Sequence, residues 1–261
     1  MGKITFLLKY ISYLLKAKDE HSLHSPFVFE LYTFAVKPRK RFYIFGKIES
    51  LRKSLLNSTR KIIIKDYGAG SVVNRSTERS IASIARYSEK PAHLAQLLFQ
   101  IIEYLKPKTL LDLGTSLGIT TIYQAAVNKK YSVITFEGCP ETCNVARENF
   151  HKMQLKNIEL VEGNIDDTLR PKLNQLPAID YAFFDANHRY EPTIRYFETC
   201  LQKAHEDSIF IFDDIHWSEE MEKAWKEIKN HPKVMITIDL FFIGLVFFRT
   251  KQPKQHYVLK F

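Results

Sequence analysis

The sequence predicts an α/β fold built on a largely parallel sheet, and three observations carry that prediction. From about residue 88 onward, apolar runs of strand length alternate with stretches of helical period. The final apolar segment, "VMITIDLFFIGLVFFR", divides into two strands joined by a short connection near residues 242–244, so these two pair antiparallel at one edge. A glycine-bearing loop, "LLDLGTSLGITT" (110–121), stands between a strand and a helix, with an acid closing the next strand.

Each element follows from its pattern. Ile4, Leu7, Leu8, Ile11, Leu14 and Leu15 recur at helical spacing among Lys3, Lys9, Lys16 and Lys18, which makes a basic amphipathic helix. Pro26 opens another helix, and residues 37–65 are basic without a clear period. After "PAHLAQLLFQIIEYL", a helix ended by Lys106-Pro107, come five strand–helix pairs. The strands are "TLLDLG", "YSVITFE", "IELVEG", "IDYAFFD" and "SIFIFDD"; the helices are "ITTIYQAAV", "PETCNVARENFHKM", a stretch around 166–175, "PTIRYFETCLQKA" and "SEEMEKAWKEIK". Ser218 caps the last of these. The expected organisation is an extension over 1–87 and an α/β domain over 88–261.

Charge is divided in the same way. Residues 1–65 hold 14 Lys/Arg and 4 Asp/Glu, a net of +10, whereas the remainder holds 24 basic and 25 acidic residues, a net of −1. The basic character belongs to the mainly helical extension. Its first 18 residues could lie on an anionic membrane surface, or pack on the protein itself or on a twin. No apolar run reaches the roughly 20 residues needed to span a bilayer. Three cysteines and no export signal lead us to expect a reduced, cytoplasmic setting, membrane-peripheral if the first helix meets lipid. Cys139 and Cys143 have no further ligands nearby in sequence and are expected to be free thiols.

Two stretches compete for a nucleotide. "KDYGAGS" (65–71) lacks a completing strand with an acid and is read as a turn or lid. "LLDLGTSLGITT" has the whole unit: Gly114 permits close backbone approach, Gly118 opens a helix, and Glu137 follows 23 residues after Gly114 to accept both ribose hydroxyls. The Asp-x-Gly-x-x-x-Gly spacing is looser than the dinucleotide fingerprint and suits a ligand with an amino-acid tail and no phosphate.

On these motifs, residues 88–249 resemble the class I S-adenosylmethionine-dependent methyltransferases. The resemblance implies a Rossmann-like seven-stranded sheet in the order 3-2-1-4-5-7-6, with the last strand antiparallel. It also implies that Asp112, Gly114, Thr115, Ser116 and Gly118 surround the methionine part of S-adenosylmethionine, that Glu137 holds the ribose, and that Gly163, Asn164 and Ile165 sit by the adenine. "HSLHSPF" resembles a feature of uncharacterised bacterial relatives.

Open α/β sheets bind ligands at the carboxyl ends of their strands. "FFDANHRYEP" and "FIFDDIHW" place Asp185, Asn187, His188, Asp213, Asp214 and His216 there. Clustered carboxylates repel unless a cation joins them, and an oxygen set suits Mg²⁺, Mn²⁺ or Ca²⁺. A metal lowers the pKa of an acceptor hydroxyl, and a neighbouring base, for which His188 is the first candidate, removes its proton. This layout resembles the metal-dependent O-methyltransferases of the caffeoyl-CoA, catechol and macrocin types. The resemblance implies Asp185, Asp213 and Asp214 as metal ligands. Asn187 stands where those families have a second Asp, and His188 where the plant-type enzymes have Lys. Asp185 could instead serve only the cofactor's amino group. His216 and Trp217 are read as pocket wall.

The function expected is methyl transfer to a hydroxyl of a small molecule. An RNA or other nucleic-acid methyltransferase is the first alternative, but Asp-Ala-Asn-His replaces the Asn/Asp-Pro-Pro-aromatic motif of base methylation. A non-catalytic scaffold docking through residues 1–65 is the second. A homodimer is common in the resembling families.

Overall fold

The computed structural model describes residues 3–38, 40–65 and 77–261. The glycine stretch at 66–71 therefore lies outside the described residues. The chain divides into two compact units, Pro38–Pro171 and Met1–Lys37 with Lys172–Phe261.

In the first unit, strands β1 (Thr109–Leu113), β2 (Ser132–Glu137) and β3 (Ile158–Glu162) form a parallel ladder in the order 3-2-1. Leu110, Leu111 and Leu113 are fully buried, as expected of a parallel strand covered on both faces. Helices Ile119–Ala125 and Pro140–Lys152 supply the crossovers. Pro140 stands at the first helical turn, where its missing N–H costs nothing. Helix Ala92–Leu105 stops at Lys106, which turns left-handed (φ 55°) ahead of Pro107. Before it, helix Tyr43–Leu56 gives the basic stretch 37–65 a structured middle, burying Phe45, Ile48, Leu51 and Leu55. Lys61–Ile63 pairs antiparallel with Glu78–Ser80 outside the main sheet.

In the second unit, β4 (Ile179–Phe184) and β5 (Ala204–Asp213) run parallel, and β7 (Ile243–Phe247) lies antiparallel to both β5 and β6 (Ile236–Asp239). The order here is 4-5-7-6, followed by β8 (Gln255–Val258), parallel to β6. Each unit thus carries its part of the expected order, and the architecture is Rossmann-like. Among the described residues these ladders hold eight strands rather than seven. The added strand has only four residues, too few for its alternation to be read. The turn between β6 and β7 is closed by the Asp239 carboxylate, which accepts the N–H of Phe241, itself at φ 69°. Gly244 is required by packing: a Cβ there would stand 2.6 Å from the Trp225 ring, which seats helix Glu219–Asn230 on β7.

The amphipathic N-terminal helix, Lys3–Lys16, belongs to this second unit. Phe6, Tyr10 and Tyr13 pack on Phe241, with ring centroids 5.2, 4.8 and 5.3 Å away. Tyr13 donates its hydroxyl to the carbonyl of Leu259, and burial is the main cause that pushes its pKa well above the usual phenol value. Replacing Phe241 by Ala should cost roughly 3–5 kcal/mol, as for other buried Phe-to-Ala changes. It should also make Lys9 and Lys16 early trypsin sites; urea unfolding and timed proteolysis measure both effects, and wild-type behaviour in both would show that Phe241 does not seat the helix.

Candidate functional site

The loop after β1 is shaped by a buried carboxylate. Asp112 is fully buried and accepts hydrogen bonds from Thr121 Oγ1, Thr135 Oγ1 (2.9 Å) and Gln124 Nε2 (3.0 Å). A charge so deep is tolerable only when hydrogen-bonded in this way. Asp112 thereby ties β1 to β2 and to the helix beyond the loop. Thr115 Oγ1 extends the network to Thr135 Oγ1 at 2.6 Å.

The loop itself is left-handed at Gly114 (φ 114°), Ser116 (φ 50°) and Gly118 (φ 85°). The N–H groups of Gly114 and Thr115 both reach the carbonyl of Phe136. Gly118 is fixed by packing as well as by φ, since a Cβ would stand 2.5 Å from Phe150. Glu137, half-buried at the end of β2, bridges the region. Its Oε2 accepts from the Ser116 N–H at 3.0 Å and its Oε1 from the Cys139 N–H at 2.9 Å. Gly163 (φ 131°) donates its N–H to the Glu137 carbonyl, and Asn164 Oδ1 accepts from the Asp166 N–H, opening the helix that buries Ile165. Sequence reasoning missed Glu89, whose Oε1 accepts the Leu117 N–H at 2.8 Å. Only an unmatched acid just before "PAHLAQLL" marked it. Its contact shows that the turn receives a carboxylate, the group an amino-acid tail would bring.

In the other unit, the ends of β4 and β5 gather a second group. One ligand atom each from Asp185, His188 and Asp213 lies within 4.8 Å of the others. His188 Nε2 is 3.3 Å from Asp185 Oδ1. Asn187 (φ 66°) and His188 (φ 32°) are both left-handed, a tight reversal that brings the imidazole back over the strand end. Asn187 also has a buried Oδ1 with no hydrogen-bond partner. Asp214 stands outside the group. Its backbone is left-handed (φ 54°), its N–H donates to the Phe242 carbonyl at 2.7 Å, and its carbonyl accepts from the Trp217 N–H. β5 ends at Asp213, and the left-handed turn at Asp214 leaves the latter outside the group of three. His188, expected as the base, takes the third place.

Residues 111–215 match a family model described as a methyltransferase domain. That match runs from β1 to just beyond the end of β5. The chain's fold is shared with solved structures. An O-methyltransferase from Bacillus cereus, in complex with S-adenosylhomocysteine, is 15% identical with a TM-score of 0.54, over 82% of this chain and 95% of its own. The O-methyltransferase TomG from Streptomyces achromogenes, in complex with S-adenosylmethionine, is 14% identical with a TM-score of 0.57, over 83% and 94%. The Podospora anserina methyltransferase PaMTH1, bound to S-adenosylhomocysteine, is 14% identical with a TM-score of 0.59, over 87% and 97%. No curated protein matches the chain in sequence.

Two further features of the chain bear on chemistry. Cys139 and Cys143 are buried free thiols, and burial, with Glu137 adding to it, pushes Cys143 up to about 12, so Cys143 is not a ready thiolate. His216 is held between two carboxylates: Nε2 is 2.8 Å from Asp239 Oδ2 and Nδ1 is 3.3 Å from Glu222 Oε1. Burial works against its charged form, but the hydrogen bonds to Asp239 and Glu222 and their charges outweigh it, and the pKa is raised. The two carboxylates favour its protonated form and tie it to helix Glu219–Asn230 and to Asp239.

Two predictions follow from these placements. Gly118→Ala should destabilise the protein by about 2–4 kcal/mol, combining left-handed strain with overpacking against Phe150; an unchanged urea midpoint would contradict the packing. For His216, the stability from its ion pairs should be full below the ordinary imidazole pKa and fall as pH rises through the raised folded value. Thermal midpoints across pH should lose that decline in His216→Gln. Parallel wild-type and variant curves would remove the role.

Proposed function

We propose that this chain is an S-adenosylmethionine-dependent O-methyltransferase acting on a small hydroxylated molecule with divalent-metal assistance. The observation that carries the reading is the convergence of Asp185, His188 and Asp213 at the ends of β4 and β5. Ligand-end acids of this kind are what oxygen methylation needs, because a hydroxyl is a weak nucleophile until it loses its proton.

The residues present fit both groups. For the cofactor, the loop offers backbone N–H groups that already bind carboxylates, at Ser116 from Glu137 and at Leu117 from Glu89. Glu137 would turn from the loop to the ribose hydroxyls, Glu89 would yield Leu117 to the amino-acid tail, and Gly163 would leave room beside the base. S-adenosylmethionine supplies a methyl group on a cationic sulfur. For the metal, two carboxylates and one imidazole make a compact set that leaves positions for an acceptor oxygen. The nitrogen donor moves the preference from Mg²⁺ or Ca²⁺ towards Mn²⁺ or a later divalent ion. A divalent ion supplies Lewis acidity that lowers the acceptor's pKa. Asp185, His188 and Asp213 would hold and orient the acceptor, and Asn187 Oδ1, buried without a hydrogen-bond partner, would accept a hydrogen bond from it.

One observation favours a second, metal-free reading. The 3.3 Å approach of His188 Nε2 to Asp185 Oδ1 also suits an oriented general base, with Asp185 fixing the imidazole.

Titration calorimetry with S-adenosylhomocysteine tests the cofactor site. Wild type should bind, and Glu137→Ala should bind roughly tenfold to hundredfold more weakly, the range of one or two hydrogen bonds to a charged group. An absence of binding to wild type would remove the enzyme reading. In a methylation assay, EDTA and Asp213→Asn should each abolish turnover while homocysteine-nucleoside binding persists. Undiminished turnover after EDTA selects the metal-free base instead.

A further inference from the structure

The outward face of the N-terminal helix remains after the site is accounted for. Its inner side is used up on Phe241, Phe242 and Trp217 by Phe6, Tyr10 and Tyr13. On the opposite side Ile4, Leu7, Leu8, Ile11, Leu14 and Leu15 form one continuous aliphatic stripe, exposed from 45% at Ile11 to 84% at Leu15. Six large aliphatic side chains in one strip exceed what scattered surface residues explain, and such a strip marks a binding face.

Charge decides what covers it. The helix contains no Asp or Glu, and Lys16 and Lys18 are exposed at its end. Lys9 is spent within the unit, 2.7 Å from Glu222. The two acids that follow are also spent, Asp19 on Lys260 and Glu20 on Lys37. A second copy laid on this stripe would bring lysines against lysines with no facing acid. An anionic surface meets the same lysines favourably. The helix is 14 residues long, and among the described residues no helix is long and apolar enough to cross a membrane. A strongly amphipathic basic helix of this kind lies in the plane of the headgroups.

We propose that helix Lys3–Lys16 docks the protein on anionic phospholipid bilayers, with the stripe from Ile4 to Leu15 entering the acyl boundary and Lys16 and Lys18 meeting the headgroups. Trp217 is exposed beside the packed side of the same helix, in edge contact with Phe6 at 6.1 Å. Aromatic rings of that amphipathic type favour the membrane–water boundary. The inference does not depend on the methyl-transfer reading, because it concerns a face the cofactor and metal residues do not share.

The test uses the full chain and two vesicle preparations, phosphatidylcholine alone and phosphatidylcholine with about one-third phosphatidylserine, read by co-sedimentation and tryptophan emission. Trp225 is buried, so a change in emission reports Trp217. Binding should be at least about tenfold tighter to the phosphatidylserine vesicles, with a blue shift, and should weaken with salt. Leu8→Gln with Leu15→Gln removes apolar surface without touching the packed side; circular dichroism should stay unchanged while binding is lost. Lys16→Gln with Lys18→Gln should reduce binding to phosphatidylserine vesicles alone. The proposal is overturned if neither vesicle is bound at low salt. It is equally overturned if ultracentrifugation finds a dimer that Leu8→Gln with Leu15→Gln dissociates, which would give the stripe to a second copy.

Discussion

The buried carboxylate of Asp112 is the constraint on which the loop after β1 depends. It is fully buried, and it survives there because Thr121, Gln124 and Thr135 all donate to it. Those donors come from the next strand and from the helix beyond the loop. Satisfying one charge therefore fixes three elements at once. The loop between them must turn left-handed at Gly114, Ser116 and Gly118, and its N–H groups are left to face Glu137 and Glu89.

The second unit is organised by its own strand ends. The reversal at Asn187 and His188 turns an imidazole towards Asp185, and β5 delivers Asp213 to the same place. The neighbouring Asp214 is diverted into backbone contacts with Phe242 and Trp217. From there the chain runs to His216, whose two carboxylate partners link the strand β6 turn to helix Glu219–Asn230, and through Glu222 to Lys9 of the N-terminal helix. The residues following the acids are thus anchored by the same helix that presents the aliphatic stripe. Attachment of that helix to a surface would bear on this segment first.

Much of this was legible in the sequence, for definite reasons. Continuous apolar runs such as "TLLDLG" and "FIFDD" announce buried parallel strands, and the glycines at 114 and 118 announce a turn that only they can make at low cost. Ser218 was legible as a cap, and its hydroxyl oxygen does accept from the Met221 N–H. What escaped depended on three-dimensional closeness. β8 is too short to show a period. Glu89 stands 28 residues from Leu117, and nothing local links them. The exchange of Asp214 for His188 turned on one residue's backbone angle, which the order Asp-Asp does not reveal. The bond of His216 to Asp239 spans 23 residues, and nothing local links the two.

The central claim is that the turn after β1 and the acid at 137 hold an S-adenosyl nucleoside. A crystal structure of the protein soaked with S-adenosylhomocysteine tests it most directly. The account predicts the ribose hydroxyls on Glu137, the Ser116 bond to Glu137 exchanged for the ligand, and Glu89 withdrawn from Leu117. Density for the nucleoside elsewhere, with Glu137 and Glu89 still on Ser116 and Leu117, would contradict it.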